Sequence, residues 1–187
     1  MKFIFAVVVS LVFSISAEAH RLDEYLQATR IGLAINRIDI AIDLTPGVAI
    51  AQELLVVIEP DGAARISPVH EQRYAQRVLH DLTLEVDGKP QSIKLVRATF
   101  PDRAEMEAGE GTIHLQVSAN TSPLKPGQHE LRFRNGHLPK LSVYLVNALV
   151  PKDKRIQIMR QDRDVPQREY RLSFEVKAVS TTAQGSK

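Results

Sequence analysis

Ile38-Asp39-Ile40-Ala41-Ile42-Asp43-Leu44-Thr45 is the stretch that decides the fold. Branched apolar residues take every even position, and Asp39, Ala41, Asp43 and Thr45 take the odd ones. Successive side chains of a strand leave opposite faces, so this run buries one face and wets the other. Pro46-Gly47 ends it. Upstream, Tyr25 to Ile35 mixes threonine, isoleucine and leucine, and the polar Asn36-Arg37 link predicts a tight hairpin between the two segments.

The same period of two returns along the chain. Leu82, Leu84 and Val86 lead into the hairpin signal Asp87-Gly88, after which Ile93 to Phe100 resumes as strand. Ile113, Leu115, Val117 and Ala119 alternate with Thr112, His114, Gln116 and Ser118. Leu131 and Phe133 alternate with Glu130, Arg132 and Arg134 beyond the Lys125-Pro126-Gly127 turn. Val143 to Val150, Arg155 to Met159, and Tyr170, Leu172, Phe174 and Val176 complete the series. Many short strands separated by turns predict a mainly β chain, an immunoglobulin-like β-sandwich.

Two segments break that period. From Val48 to Ile58 the apolar residues Ile50, Leu54, Val57 and Ile58 fall at helical spacing, with a buried strand over Leu54 to Ile58 as the competing reading. Ser67-Pro68 has the form of a helix start, a capping hydroxyl followed by proline, and Ala75, Val78, Leu79 and Leu82 supply its apolar stripe. A short two-helix insertion near residues 48–80 is therefore expected. The charged segment Pro101 to Gly111 reads as a surface loop, and the small polar residues 180–187 as a disordered tail.

The amino terminus has a single positive charge at Lys2, an apolar run from Phe3 to Ile15 and then Ser16-Ala17-Glu18-Ala19. This is the charged start, short apolar core and small-x-small site of a secretory signal, with cleavage after Ala19. The run is shorter than the roughly 20 residues that span a bilayer. The expected domain runs from His20 to residue 179, is periplasmic or secreted, and carries no further membrane span.

The 187 residues contain no cysteine, which removes disulfides, thiolate chemistry and cysteine-held metals. Lysine and arginine number 24 against 22 aspartates and glutamates, a balance unlike the concentrated basic face of a nucleic-acid binder. The densest basic stretch, Lys152 to Arg163, is broken by Asp153 and Asp162 and reads as solvated strand. There is no His-Glu-x-x-His pair, Gly-x-Ser-x-Gly elbow or phosphate-cradling glycine loop. Glu105, Glu107 and Glu110 cluster, but acid/base pairs need burial or fixed geometry to separate their pKa values. His114 falls on the polar face of its strand, and His129 and His137 flank a strand at turn-like positions. No enzymatic activity is expected.

Two features remain as candidate metal ligands. The loop between the helices has the frame of a calcium-binding helix-loop-helix, a degenerate EF-hand-like loop. Glu59 and Asp61 take its first and third positions and Ile66 the eighth. Ala63 and Ala64 then replace a ligand and the turn glycine, and His70 stands at the closing position, so too few oxygens remain for calcium. His20, once exposed by cleavage, carries an imidazole and a free amino group on one residue, a pair able to chelate copper or nickel. Asp23, Glu24, His70 or His80 would have to complete that site.

His20-Arg21-Leu22-Asp23-Glu24-Tyr25-Leu26, Leu44-Thr45-Pro46-Gly47, the altered calcium-type loop, and Gly136-His137-Leu138-Pro139 followed by Ser142-Val143-Tyr144-Leu145 also carry a family likeness. In these motifs the chain resembles an uncharacterised bacterial secreted family. That family is similar to the exported amino-terminal domain of hydrogenase/urease accessory membrane proteins of the nickel/cobalt permease type. The likeness extends over most of the chain after the signal and brings no catalytic residues with it. It implies a periplasmic location and a non-enzymatic accessory role beside an envelope or membrane protein partner. Transport is not implied, because the permease spans are missing.

Mass spectrometry of protein recovered from the periplasmic fraction of an expressing bacterium should find an amino terminus at His20. Ala19→Arg should leave the precursor uncleaved, since a bulky charge does not fit the small-residue cleavage site.

Overall fold

Alternation becomes pairing in the first sheet. β1 (Tyr25–Leu33) and β2 (Arg37–Pro46) run antiparallel, joined by a turn in which the Ala34 N–H donates to the Arg37 carbonyl at 2.8 Å. The computed structural model describes residues 24–63 and 65–178. The signal read over residues 1–19, the candidate ligands His20 and Asp23, and the tail 180–187 lie outside the described residues. β6 (Ile113–Asn120) flanks β2 and sets Ile38, Ile40, Ile42 and Leu44 beside Ala119, Val117, Leu115 and Ile113, all buried. Two period-two patterns far apart in sequence thus share one apolar face.

β3 (Leu82–Val86), β4 (Lys89–Pro90) and β5 (Lys94–Thr99) divide between the sheets. Asp87 and Gly88 both adopt positive φ, 50° and 72°, making the two-residue hairpin that Asp-Gly signals. The returning strand stops after Pro90, which has no N–H to extend the ladder. The chain then crosses, and β5 pairs with β6 in the first sheet. β7 (Gly127–Asn135), β8 (Ser142–Ala148), β9 (Ile156–Arg163) and β10 (Glu169–Val176) follow. The sheet orders are β5-β6-β2-β1-β8 and β4-β3-β7-β10-β9, with β8 parallel to β1 and every other pair antiparallel.

The two inner faces meet in one core, so the chain is the β-sandwich its strands predict. From the second sheet come Leu84, Leu131, Phe133, Tyr170, Leu172 and Phe174. A seam at one end closes the layers. Arg163 of β9 donates from Nε to the Val146 carbonyl at 2.8 Å and from Nη2 to Asn147 Oδ1 at 2.7 Å, satisfying groups along β8, an edge strand of the other sheet.

α1 (Val48–Ile58) and α2 (Pro68–His80) form the expected insertion. Ser67 caps α2 by accepting from the His70 N–H, and Arg77 and His80 lie in its last turn, where the helix dipole favours positive charge. The expected inward face of α1 needs correction. Ala51 and Leu55 join Ile50, Leu54 and Ile58 inside, while Val57 points outward at 51 % exposure. Periodicity alone left the phase of so apolar a helix undecided.

Pro101 to Gly111 is also more than the surface loop expected. It contains α3 (Arg103–Glu107), whose Glu105 carboxylate accepts from the Asp102 N–H, and Met106 is wholly buried beside α1. Gly109 has φ 72°, and a Cβ there would lie 2.7 Å from Val48 Cγ2, so a glycine is required for the approach to α1.

Leu55→Ala should destabilise the fold by ~2–5 kcal/mol in urea denaturation, the usual cost of a buried leucine deletion. Val57→Ala should change stability by less than ~0.5 kcal/mol.

Candidate functional site

Polar side chains on inward positions mark the described residues most out of keeping with a simple apolar core. On β1 the inward set is Tyr25, Gln27, Thr29, Ile31 and Leu33, so Gln27 and Thr29 interrupt the apolar pattern. Gln27 belongs to a collar around the His137 backbone. Its Nε2 donates to the His137 carbonyl at 2.9 Å, joined there by Tyr144 Oη at 2.7 Å and Ser142 Oγ at 3.2 Å. Asn135 completes the ring, donating from Nδ2 to Gln27 Oε1 and accepting the His137 N–H at Oδ1.

The His137 imidazole, without solvent exposure, lies in the middle of a second series. Nδ1 is 2.7 Å from Asp81 Oδ2, Nε2 is 3.1 Å from Tyr74 Oη, and Tyr74 Oη is 2.8 Å from Tyr25 Oη. Burial pushes the imidazole below its ordinary 6.5 against the opposing pull of Asp81. Burial also works to raise the Asp81 carboxyl, but hydrogen bonds from His137 and His80 and their charges together hold it low. Asp81 is thus ionised and His137 neutral near pH 7. Nδ1–H donates to Asp81, Nε2 accepts from Tyr74, and Tyr74 accepts from Tyr25.

Acid, imidazole and phenol in this order have the connectivity of a proton relay. Both phenols are driven well above 10 by burial and keep their protons. Tyr25 and Tyr74 are buried, and the series meets water only at Asp81, 33 % exposed. The geometry makes it a strut, joining β1, α2, the start of β3 and the β7–β8 connection.

The structure corrects the reading of His129 as a turn residue flanking a strand, whereas His137 does stand in the β7–β8 connection. His137 is sealed in the core, and His129 lies within β7, stacked on Phe174 with Nδ1 2.7 Å from Asp87 Oδ2. His114 is on the outer face as expected, 2.8 Å from Asp43, which also pairs with Arg30. Glu105 caps α3 and Glu107 pairs with Arg103 at 2.8 Å. Of the residues considered as companions of His20, His70 faces Glu59 and His80 pairs loosely with Asp81 at 3.4 Å. In the basic stretch, Arg155 pairs with Asp153 and Arg160 with Asp162.

The loop between α1 and α2 draws together the three residues that its calcium-type frame singled out. Glu59 is 2 % exposed, with Oε2 accepting the Ser67 N–H at 2.8 Å and Oε1 2.8 Å from His70 Nδ1. The Ser67 amide and then His70 hold its carboxyl below the ordinary value. Asp61 reaches the same place from the exposed loop, and one ligating atom from each of the three lies within 4.8 Å of the others.

On the outer face of the first sheet, the parallel register sets Leu26 beside Val143 and Ala28 beside Leu145. Leu141 and Leu149 extend this strip, and its large residues are 36–49 % exposed. No family model, curated protein or solved structure matches the chain. Among the described residues no helix is long and apolar enough to cross a membrane.

Imidazole titration by NMR should place His137 below 6.5 and His129 above it, because the hydrogen bonds that His129 donates to the Lys125 carbonyl and the Asp87 carboxylate outweigh its desolvation. The linkage has opposite signs. As pH falls below 6.5 the unfolded chain takes a proton that folded His137 resists, and stability is lost. His129 contributes stability below 6.5 that disappears as pH rises through its raised value. His137→Gln should therefore lessen the acid-side loss in denaturation measured between neutral pH and pH 5.

Proposed function

We propose that the chain is an exported, non-enzymatic accessory domain of the bacterial periplasm that works by docking an envelope protein on the β1–β8 flank of its first sheet. The observation that carries this reading is the contiguous strip of Leu26, Val143, Leu145 and Leu149 on an outer sheet face. Scattered exposed leucines are ordinary, but a run set side by side by strand register is an area that water covers poorly and a partner covers well. The Arg30–Asp43–His114 group borders it with charge, as the rim of an interface does.

The opposite face of the sandwich supports the choice of side. There Glu130 pairs with Arg132 and Arg171, and Arg134 with Glu169, so the outer face of the second sheet is occupied by mutually neutralising charges. Export rests on the amino-terminal signal pattern, and the accessory role on the family likeness. The sealed relay at His137 favours binding over catalysis, because a reacting group has no route to its phenols.

A photo-crosslinking residue placed at Val143 in cells should capture one envelope protein, whereas the same residue at Arg132 should not. Leu145→Lys should reduce that capture about tenfold or more, the loss expected when a charge enters an apolar contact, without lowering the thermal midpoint. Equal capture from both faces, or none from Val143, would refute the docking face.

A further inference from the structure

The junction of α1 and α2 brings together donors of two kinds, and neither the strut at His137 nor the docking strip uses them. α1 ends at Ile58 and the next residue, Glu59, turns its carboxylate inward beneath the loop. The Ser67 amide holds Oε2, which leaves Oε1 directed at the His70 imidazole. His70 stands in the first turn of α2, a helix anchored by its Ser67 cap and by buried Tyr74, Ala75 and Val78. Asp61 closes on the pair from the solvent side. Two ligands are thus fixed by helical scaffolding, and the third is free to adjust.

We propose that Glu59, Asp61 and His70 form a binding site for a borderline divalent transition cation of the Zn²⁺ class. One imidazole nitrogen and two carboxylate oxygens match that class, which binds such donors at roughly 2.0–2.2 Å. Ligating atoms already within 4.8 Å of one another need only small side-chain rotations to enclose an ion of that radius. The imidazole would present Nδ1 as a lone pair and carry its proton on Nε2, replacing the present contact with Glu59. Calcium fits poorly, since it takes six to eight oxygens and the loop offers Ala63 where a further ligand would stand. Three protein ligands leave positions for water or for a donor from a partner.

A Glu59–His70 pair that serves only to fasten the two helices would give the same apo geometry, so the test must separate fastening from chelation. Asp61 makes the separation, because it is exposed and fastens neither helix. Calorimetric titration of the processed chain with ZnCl₂, in a His20→Ala background that removes the amino-terminal imidazole, should give one ion per chain. CaCl₂ should give no comparable heat. Asp61→Asn and His70→Ala should each weaken Zn²⁺ at least ~10-fold, a loss that even outer-shell changes produce at metal sites. Circular dichroism should find Asp61→Asn folded as the parent. Absence of Zn²⁺ binding at micromolar concentration, or parental affinity in either variant, overturns the proposal.

Discussion

A histidine ring with no exposure to water must find partners for both nitrogens inside the protein, and His137 is so placed. Asp81 answers one nitrogen and Tyr74 the other, while three side chains converge on the carbonyl of the same residue. These partners come from β1, β8 and α2 with the residue that ends it, and they meet at the β7–β8 connection. Loss of a single member would leave a buried donor or acceptor unanswered, at a cost of about 1–3 kcal/mol. Apolar contacts tolerate small slips, whereas a hydrogen-bond series across β1, α2 and the β7–β8 connection tolerates few. That series, together with buried Ala75, Val78 and Leu79, holds α2 against the sandwich.

The strut also bears on the two surfaces given functional readings. It holds Gln27 and Tyr144 inward on β1 and β8, and inward Gln27 means outward Leu26 and Ala28 in the same register. The apolar strip is thus the reverse side of the polar collar. α2, anchored through Tyr74, carries His70 one turn earlier, where it faces Glu59. One buried network therefore helps to orient both the proposed docking face and the donor cluster without taking part in either.

The β-sandwich and its helical insertion were legible because periodicity is local. Ile38 to Leu44, Ile113 to Ala119 and Tyr170 to Val176 declare their inward faces from adjacent residues alone, as does the Asp87-Gly88 turn. The loop cluster was half legible. Glu59, Asp61 and His70 stood in register, but counting positions against a calcium loop emphasised missing oxygens and passed over the imidazole. His137 stands in the turn that Gly136 and Pro139 suggest, but its burial was not legible, because it depends on partners distant in sequence. The one local warning was Gln27, a polar residue on the inward side of a strand.

The sequence by itself determined which segments become strands or the two longer helices and which side of most strands turns inward, since these depend on neighbours a few residues apart. The tertiary structure alone decided the order β5-β6-β2-β1-β8, the parallel pairing of β8 with β1, the burial of Met106 and the partners of His137. Gln27 and His137 are separated by 110 positions, and Tyr74 and His137 by 63. No local pattern encodes such a meeting. It follows from two sheets closing over one core, where buried polar atoms displaced from water must bond to whatever the packing brings beside them.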